Sequence, residues 1–238
     1  MNIVVDAGNT FTKVGIFEKD SLKKKMEFRS MGELLVFLQN TAADHLIIGS
    51  VTGKEGEIAS QSLARQTIIL RHSTPLPIQN RYASPAALGV DRIAAACGAW
   101  LLYPHQDSLV IDIGTCINYE FVNRRGEYMG GAISPGVKMR FDAMHHFTEK
   151  LPLAQAVPEA PLTGDDTISC LQGGVMNGMI EEIKGIIRRY RIQNPGLRVI
   201  LCGGDAHFFE NHLKPTIFVA PELVLLGLNS ILLHNVAS

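Results

Sequence analysis

Asn2-Ile3-Val4-Val5-Asp6-Ala7-Gly8-Asn9 is restated further along the chain by Ser108-Leu109-Val110-Ile111-Asp112-Ile113-Gly114-Thr115. Each copy is an apolar run, then Asp-x-Gly and a small polar residue, then a second apolar run: Val14-Gly15-Ile16-Phe17 after the first, Tyr119-Glu120-Phe121-Val122 after the second. Short runs rich in Val and Ile that stop at Asp and Gly read as strands entering tight turns. Asp6 and Asp112 are 106 positions apart, close to half of the 238 residues. A whole supersecondary unit repeated at half length predicts two related lobes, 1–105 and 106–238. A ligand is then expected where the two Asp-Gly turns face each other.

Strands and helices alternate outward from both copies. Residues 32–43 read as a helix, His45–Ser50 as a buried strand, 55–65 as a helix and Thr67–Leu70 as a strand. Lys23-Lys24-Lys25 reads as a solvated turn or edge strand. Ser84-Pro85 has the form of an N-cap followed by a first-turn proline, and predicts a long Ala-rich helix ending near Tyr103, before Pro104. The second half reads as a Gly-rich loop at 130–136, a helix over 137–149, a Pro-rich connector from Pro152 to Pro161, a long helix from Asp166 to Arg191 and a strand over Arg198–Cys202. A short helix over 207–213, a strand at 217–219 and a helix over 222–235 complete it. The alternation places the chain in the α/β class.

Composition excludes several functions. The chain has 22 Lys and Arg against 23 Asp and Glu, a net charge of −1 without a polybasic tail, so charge gives a nucleic-acid partner no support. Cys97, Cys116, Cys170 and Cys202 form no C-x-x-C pair and lie in apolar or Gly-rich stretches, which predicts buried reduced thiols rather than zinc ligands or disulfides. No apolar stretch reaches a membrane-spanning length, and Met1 runs straight into strand pattern without a signal-like segment, so no membrane partner and a cytoplasmic location are expected. His145 and His146 are adjacent on a helix and face different ways, which argues against a shared metal.

The chemistry-bearing residues cluster in four places. A bound triphosphate needs close backbone N–H donors, countercharge and a held metal. Asp6-Ala7-Gly8-Asn9-Thr10-Phe11-Thr12-Lys13 offers a glycine without Cβ, small polar donors, a lysine and a carboxylate that can hold Mg²⁺ through water. It is not a P-loop, and one copy alone is equally an ordinary hairpin turn. In the second copy Thr115 can donate to a phosphate oxygen and Asp112 can bind a cation; a structural turn left by duplication is the alternative. Gly203-Gly204-Asp205 follows a strand and suits a nucleobase or ribose, or is merely a strand-to-helix turn. Gly89-Val90-Asp91-Arg92 puts an acid and a base among Ala86, Ala87, Leu88, Ile93, Ala94, Ala95 and Ala96. A carboxylate in apolar surroundings needs a partner. Asp91 is either one half of a structural pair with Arg92, or a base that accepts a hydroxyl proton while Arg92 clamps a substrate anion.

Taken in order, these motifs resemble the type III pantothenate kinases of the acetate and sugar kinase, Hsp70 and actin superfamily. The resemblance is carried by D-A-G-N-T-x-x-K at 6–13, L-G-V-D-R at 88–92, V-I-D-I-G-T at 110–115 and G-G-A-I-S-P-G at 130–136, with Asn80-Arg81-Tyr82, Thr167 and Gly203-Gly204-Asp205 in the expected order. It implies two ribonuclease-H-like (actin-like ATPase) lobes with mixed sheets flanked by helices, and a homodimer. It implies that Asp6, Ala7, Gly8, Asn9, Thr10, Phe11, Thr12, Lys13 and Thr115 bind ATP. Asp91 becomes the proton acceptor; Tyr82, Gly89, Val90, Asp91, Arg92 and Thr167 contact pantothenate. Asp112 would take a monovalent cation, K⁺ or NH₄⁺, and Mg²⁺ would accompany ATP. The implied reaction is phosphorylation of pantothenate to 4'-phosphopantothenate, the first step of coenzyme A biosynthesis. Cys116 and Asn118 depart from the family's D-x-G-T-A-x-T pattern, which predicts retuned nucleotide or cation contacts. A kinase of the same superfamily with another small hydroxylated acceptor, a regulatory relative without catalysis, and a nucleotide-driven switch are the rival readings.

Overall fold

The computed structural model describes residues 1–214 and 217–236. By its internal contacts the chain forms two compact units. The first comprises Met1–His105, Val122–Gly130 and the chain from Glu222 onward; the second comprises Gln106–Phe121 and Gly131–Pro221. Residues 122–130 and the last helix thus group with the first unit.

The first unit is built on a five-stranded sheet. Its elements begin with β1 (Asn2–Ala7), β2 (Thr12–Glu18), β3 (Ser21–Phe28), α1 (Met31–Gln39), β4 (Ala42–Ser50), α2 (Glu55–Ser60) and β5 (Leu63–Ile69), and the sheet order is β3-β2-β1-β4-β5. β1 pairs antiparallel with β2, from Asn2 opposite Phe17 to Ala7 opposite Thr12, and parallel with β4, from Asn2 opposite His45 to Ala7 opposite Ser50. A central strand covered on both faces must be apolar throughout, and Ile3, Val4 and Val5 are all fully buried. One face packs Ile3, Val5, Val14 and Leu46 on Leu34 and Leu38 of α1. Ser30 caps α1, its hydroxyl accepting from the Glu33 N–H at 3.3 Å. The lysine run lies on the edge strand β3 with all three residues exposed, as expected.

β6 (Gln79–Asn80) follows, then a 3₁₀ turn over Pro85–Ala87, α3 (Val90–Leu102), β7 (Ser108–Ile113), β8 (Cys116–Val122), β9 (Glu127–Pro135), α4 (Val137–His146) and α5 (Thr167–Gln193). β10 (Arg198–Cys202), a 3₁₀ turn over Ala206–Phe208, α6 (Glu210–Leu213), β11 (Phe218–Val219) and α7 (Leu223–Val236) complete the chain. The other face of the first sheet packs Val4, Phe17 and Ile47 against Ile93, Ala94 and Cys97 of α3 and Leu225, Leu228 and Ile231 of α7. Asn229 is buried on α7; it donates to the Lys19 carbonyl at 2.9 Å and accepts from Asn2 at 3.4 Å, so its amide is satisfied inside the core.

In the second unit β7 and β11 pair parallel with β10, and β7 continues through β8 to β9. Leu109, Ile111 and Ile113 of β7 and Ile117 and Tyr119 of β8 pack with Phe141 of α4 and Val175, Met179 and Ile183 of α5. Asp166 caps α5 by a reciprocal box with Ser169, accepting from its N–H at 2.7 Å. The tip of the β8–β9 hairpin belongs to the first unit, where Gln79 and Asn80 of β6 pair parallel with Glu127 and Tyr128.

Several expectations are corrected, among them the helix over 32–43, which stops at Gln39 because residues from Ala42 join β4. The helix from Ser84 to Tyr103 is broken: the 3₁₀ turn ends at Leu88, which is extended, and α3 starts only after Gly89. The helix over 55–65 stops at Ser60, because residues from Leu63 join β5. Residues 130–135, read as a loop, continue strand β9; Gly131 lies so close to the Tyr119 carbonyl that no side chain fits there, and glycine in a strand marks such an approach. All four cysteines are free, but only Cys97 and Cys202 are buried; Cys116 is half-buried and Cys170 exposed. Among the described residues no helix is long and apolar enough to cross a membrane.

Candidate active site

In the first unit, β1 and β2 hold the segment 6–13 between them. Asp6 lies opposite Lys13 and Ala7 opposite Thr12, and Gly8 to Phe11 form the connecting loop. Asp6, Gly8, Thr12 and Lys13 are half-buried, Ala7 is buried, and Asn9, Thr10 and Phe11 are exposed. The loop emerges at the carboxyl end of β1, beside the carboxyl end of β4, the edge at which parallel strands commonly present ligands. There Val51 N–H donates to the Ala7 carbonyl at 3.2 Å, and Ser50 Oγ accepts from the Thr52 N–H at 3.2 Å. Arg29 completes the loop's surroundings: its guanidinium lies 5.6 Å from the centre of the Phe11 ring. Nothing local in the sequence marks Arg29. The β2–β3 register, with Thr12 opposite Phe28, is what carries it to the loop.

The segment 80–92 forms a second group in the same unit. Tyr82 N–H donates to Asn80 Oδ1 at 2.9 Å, and the Tyr82 ring stacks on Tyr128, with centres 6.2 Å apart. Arg92 is 8 % exposed, and its guanidinium lies 5.6 Å from the centre of the Tyr82 ring. Asp91 stands in the first turn of α3, where the helix dipole favours a carboxylate. Its Oδ1 accepts from the Arg92 backbone N–H at 2.9 Å. The Arg92 guanidinium thus faces an aromatic ring while the Asp91 carboxylate takes a backbone donor. Gly89 supplies the N-cap and Val90 the first helical position, both half-buried. The broken helix therefore moves Asp91 from a buried mid-helix position to an accessible helix start.

Glu127 pins this group from behind. Its Oε1 accepts from Arg81 Nε and Nη2 at 3.1 and 2.9 Å, and its Oε2 accepts from Asn123 Nδ2 at 2.7 Å and Arg125 Nε at 2.9 Å. These donors, Asn123 first and the two arginines after it, pull the Glu127 carboxyl down to about 2 from an ordinary 4.5. A carboxyl whose folded value lies below its unfolded value contributes stability above the unfolded value and loses it as pH falls toward the folded one. Wild-type melting temperature is therefore expected to exceed that of Glu127→Gln at neutral pH. The gap should narrow between about pH 5 and about pH 3, as read by thermal melts across that range. A gap independent of pH would show that the carboxylate charge is not what holds Arg81 in place.

In the second unit the repeat turn is braced from two sides. Gly114 N–H donates to the Cys116 carbonyl at 2.9 Å, and Gly136 N–H donates to the exposed Thr115 at its carbonyl, 3.1 Å away. Asp112 is half-buried at the end of β7, opposite Cys202 of β10. The Gly203-Gly204-Asp205 loop folds onto it, with Asp205 N–H donating to the Ile113 carbonyl at 3.0 Å. Burial pushes the Asp205 carboxyl up, partly offset by His207. Arg140 holds the segment before Gly136: Nε donates to the Pro135 carbonyl at 2.9 Å, and Nη2 donates to Ser134 Oγ at 2.9 Å and to Glu182 Oε2 at 2.6 Å. Glu182 Oε1 accepts in turn from the Tyr119 hydroxyl at 3.2 Å, and burial together with the Glu182 charge pushes that phenol up. Arg140, Glu182 and Tyr119 were not singled out from sequence, since they meet only when α4, α5 and β8 pack. Thr167 is exposed at the first position of α5, and Asn118 is half-buried on β8.

Two mixed α/β sheets flanked by helices, each carrying an Asp-x-Gly turn, define the actin-like ATPase fold class, which includes many small-molecule kinases. Solved structures agree at the level of the fold. A Campylobacter jejuni protein described as a conserved Baf family transcriptional activator superposes with a TM-score of 0.69 at 20 % identity, over 99 % of this chain and 100 % of that one. The activator of 2-hydroxyisocaproyl-CoA dehydratase from Clostridium difficile, with bound ADPNP, gives 0.58 at 12 % identity, over 99 % and 96 %. Sequence narrows the class to one family. The model of the type III pantothenate kinases matches residues 2–189, and the type III pantothenate kinase of Cytophaga hutchinsonii is 43 % identical over 99 % of this chain and 100 % of its own. The chain belongs to the type III pantothenate kinase family.

Proposed function

We propose that this protein transfers the γ-phosphoryl group of ATP to the primary hydroxyl of pantothenate, giving 4'-phosphopantothenate in the first step of coenzyme A biosynthesis. The observation that carries the reading is the position of Asp91 in the first turn of α3, beside the Arg92–Tyr82 stack, in a chain that aligns over 99 % of its length with a type III pantothenate kinase. In this reading residues 6–13 and Thr115 hold the triphosphate, Arg29 adds countercharge at the Phe11 loop, and Tyr82, residues 89–92 and Thr167 contact pantothenate. Arg92 anchors its carboxylate. Asp91 aligns the hydroxyl and accepts its proton as the oxygen bonds to the γ-phosphorus and the bond to the ADP oxygen breaks. The two units serve as the two lobes of the superfamily.

Among the described residues no group of three His, Cys, Asp or Glu is arranged to hold an ion by itself. Mg²⁺ usually takes one or two carboxylates and completes its shell with phosphate oxygens and water. Asp6 is the carboxylate we assign to it. Asp112 is assigned a monovalent cation, K⁺ or NH₄⁺, and the enzyme is taken to work as a homodimer in the cytoplasm. The test is a coupled ADP-release assay with and without pantothenate, repeated with Na⁺ in place of K⁺ and with a panel of other hydroxylated acids and sugars. ADP release is expected to require pantothenate and to fall in Na⁺. Release without any acceptor would favour a nucleotide switch, and turnover of another acceptor in preference would reassign the substrate.

A further inference from the structure

The second unit carries a cavity that none of these roles uses. It has a volume of about 500 Å³ and lies where the last turns of α5 meet α6. Lys184, Arg188 and Arg191 enter it from α5, and His212 and Lys214 from α6 and the residue after it; no Asp or Glu is among the described lining residues. Ile187 and Leu213, both buried, form an apolar floor, and Ile192, three-quarters exposed, stands at the rim. This concentration of positive charge is local, because the whole chain has a net charge of −1.

Elementary electrostatics disfavours crowding like charges on one helix face. Lys184, Arg188 and Arg191 occupy positions i, i+4 and i+7, one face of a helix, and like charges at that spacing repel. The dipole at the end of α5 favours Arg191 in its last turn. It does not account for Lys184, more than two turns from that end, or for the groups contributed by α6. Lys184 and Lys214 keep flanking partners in Glu181 and Glu210, which relieves part of the repulsion. Arg188 is exposed and lines the cavity. The three α5 cations extend over about 10 Å of helix, too long for one carboxylate and suited to a chain of phosphates. Guanidinium groups bind phosphate oxygens in pairs.

We propose that this cavity is a binding site for a small molecule carrying two or more linked phosphates, with its apolar portion against Ile187 and Leu213. A single concave pocket of this volume is the size used for small ligands, and an extended nucleic-acid backbone would need a longer basic track. The test uses the full-length protein and inorganic tripolyphosphate as probe, titrated calorimetrically without nucleotide into the wild type and Lys184→Ala/Arg188→Ala, since an ATP analogue carries linked phosphates and would fill the cavity as well as the catalytic loops. One further site per chain is expected. Its affinity should weaken at least about tenfold in Lys184→Ala/Arg188→Ala, and weaken with added salt, while probe-free kinase turnover and the circular dichroism spectrum of that variant match the wild type. Absence of a further site, or a site that the double substitution leaves unchanged, overturns the proposal, as does binding confined to long nucleic acid or acidic peptide. The double variant reports on the cavity through the probe and turnover reports on the catalytic loops, so a failure of the catalytic reading is separable from a failure of this one.

Discussion

Asp91→Asn is expected to lower turnover with pantothenate by about two to four orders of magnitude, the usual contribution of a positioned general base, while ATP affinity and the folded state are retained. The asymmetry follows from what the side chain touches. Its Oδ1 accepts from the Arg92 backbone N–H, and an asparagine carbonyl oxygen takes the same donor at the same place. The lost charge forfeits only the interaction with the α3 dipole, roughly 0.3–1 kcal/mol. The loop proposed to hold ATP lies between β1 and β2, elements that Asp91 does not help to form. What asparagine cannot do is accept a proton at neutral pH. The measurements are steady-state turnover, calorimetric ATP binding and a thermal melt, on the variant and wild type side by side. Near-normal turnover would remove Asp91 from the base role and leave the helix-start geometry to be explained as an N-terminal charge alone. A parallel loss of ATP binding and melting temperature would mark it as structural.

What could be read from the chain, and what could not, divides along the range of the interactions. β1 and β7 were legible because a central strand is apolar on both faces and ends where Asp and Gly turn it. That signal sits in eight consecutive residues. The Asp166 cap of α5 is equally local. The start of α3 was misjudged for a physical reason. Ser84-Pro85 does begin a helical turn, but a 3₁₀ one, and the Ala-rich pattern runs on through the Leu88-Gly89 break without marking it. Gly130-Gly131 looked like a loop since glycine is poor in strands; only the approach of β9 to the Tyr119 carbonyl explains it. The site shows the same split. The residues of 6–13 and 89–92 announce themselves by spacing. Arg29, Arg140 and Glu182 do not, as each is brought to its partner by strand register or helix packing.

Gly227→Ala is expected to be the most damaging single methyl group in the first unit, and the reason reaches back to Asp91. α7 comes from the far end of the sequence and crosses α3 at two glycines. A Cβ on Gly227 would stand 2.7 Å from the Ala94 carbonyl carbon and 2.8 Å from the Gly98 nitrogen, closer than Cβ atoms come to anything. Gly98 receives Leu223 in the same way, with the Leu223 Cδ1 3.0 Å from where its Cβ would be. The atoms in the way at Gly227 are backbone, so no rotamer change relieves the clash and α7 must move off α3. Overpacking of this kind costs about 1–3 kcal/mol, or roughly 2–4 °C of melting temperature for each kcal/mol in a chain of this size. Gly185→Ala is the control. Its Cβ would meet nothing within 4 Å in the middle of α5, and alanine there should be neutral or raise stability by about 0.5–1 kcal/mol. Because α3 carries Asp91 in its first turn, displacement of α7 should also lower turnover beyond what the fraction of unfolded protein explains, with little change in the loop between β1 and β2. Equal melting temperatures for Gly227→Ala and wild type would mean that the helix crossing is loose, and that something other than α7 fixes the direction in which Asp91 leaves α3.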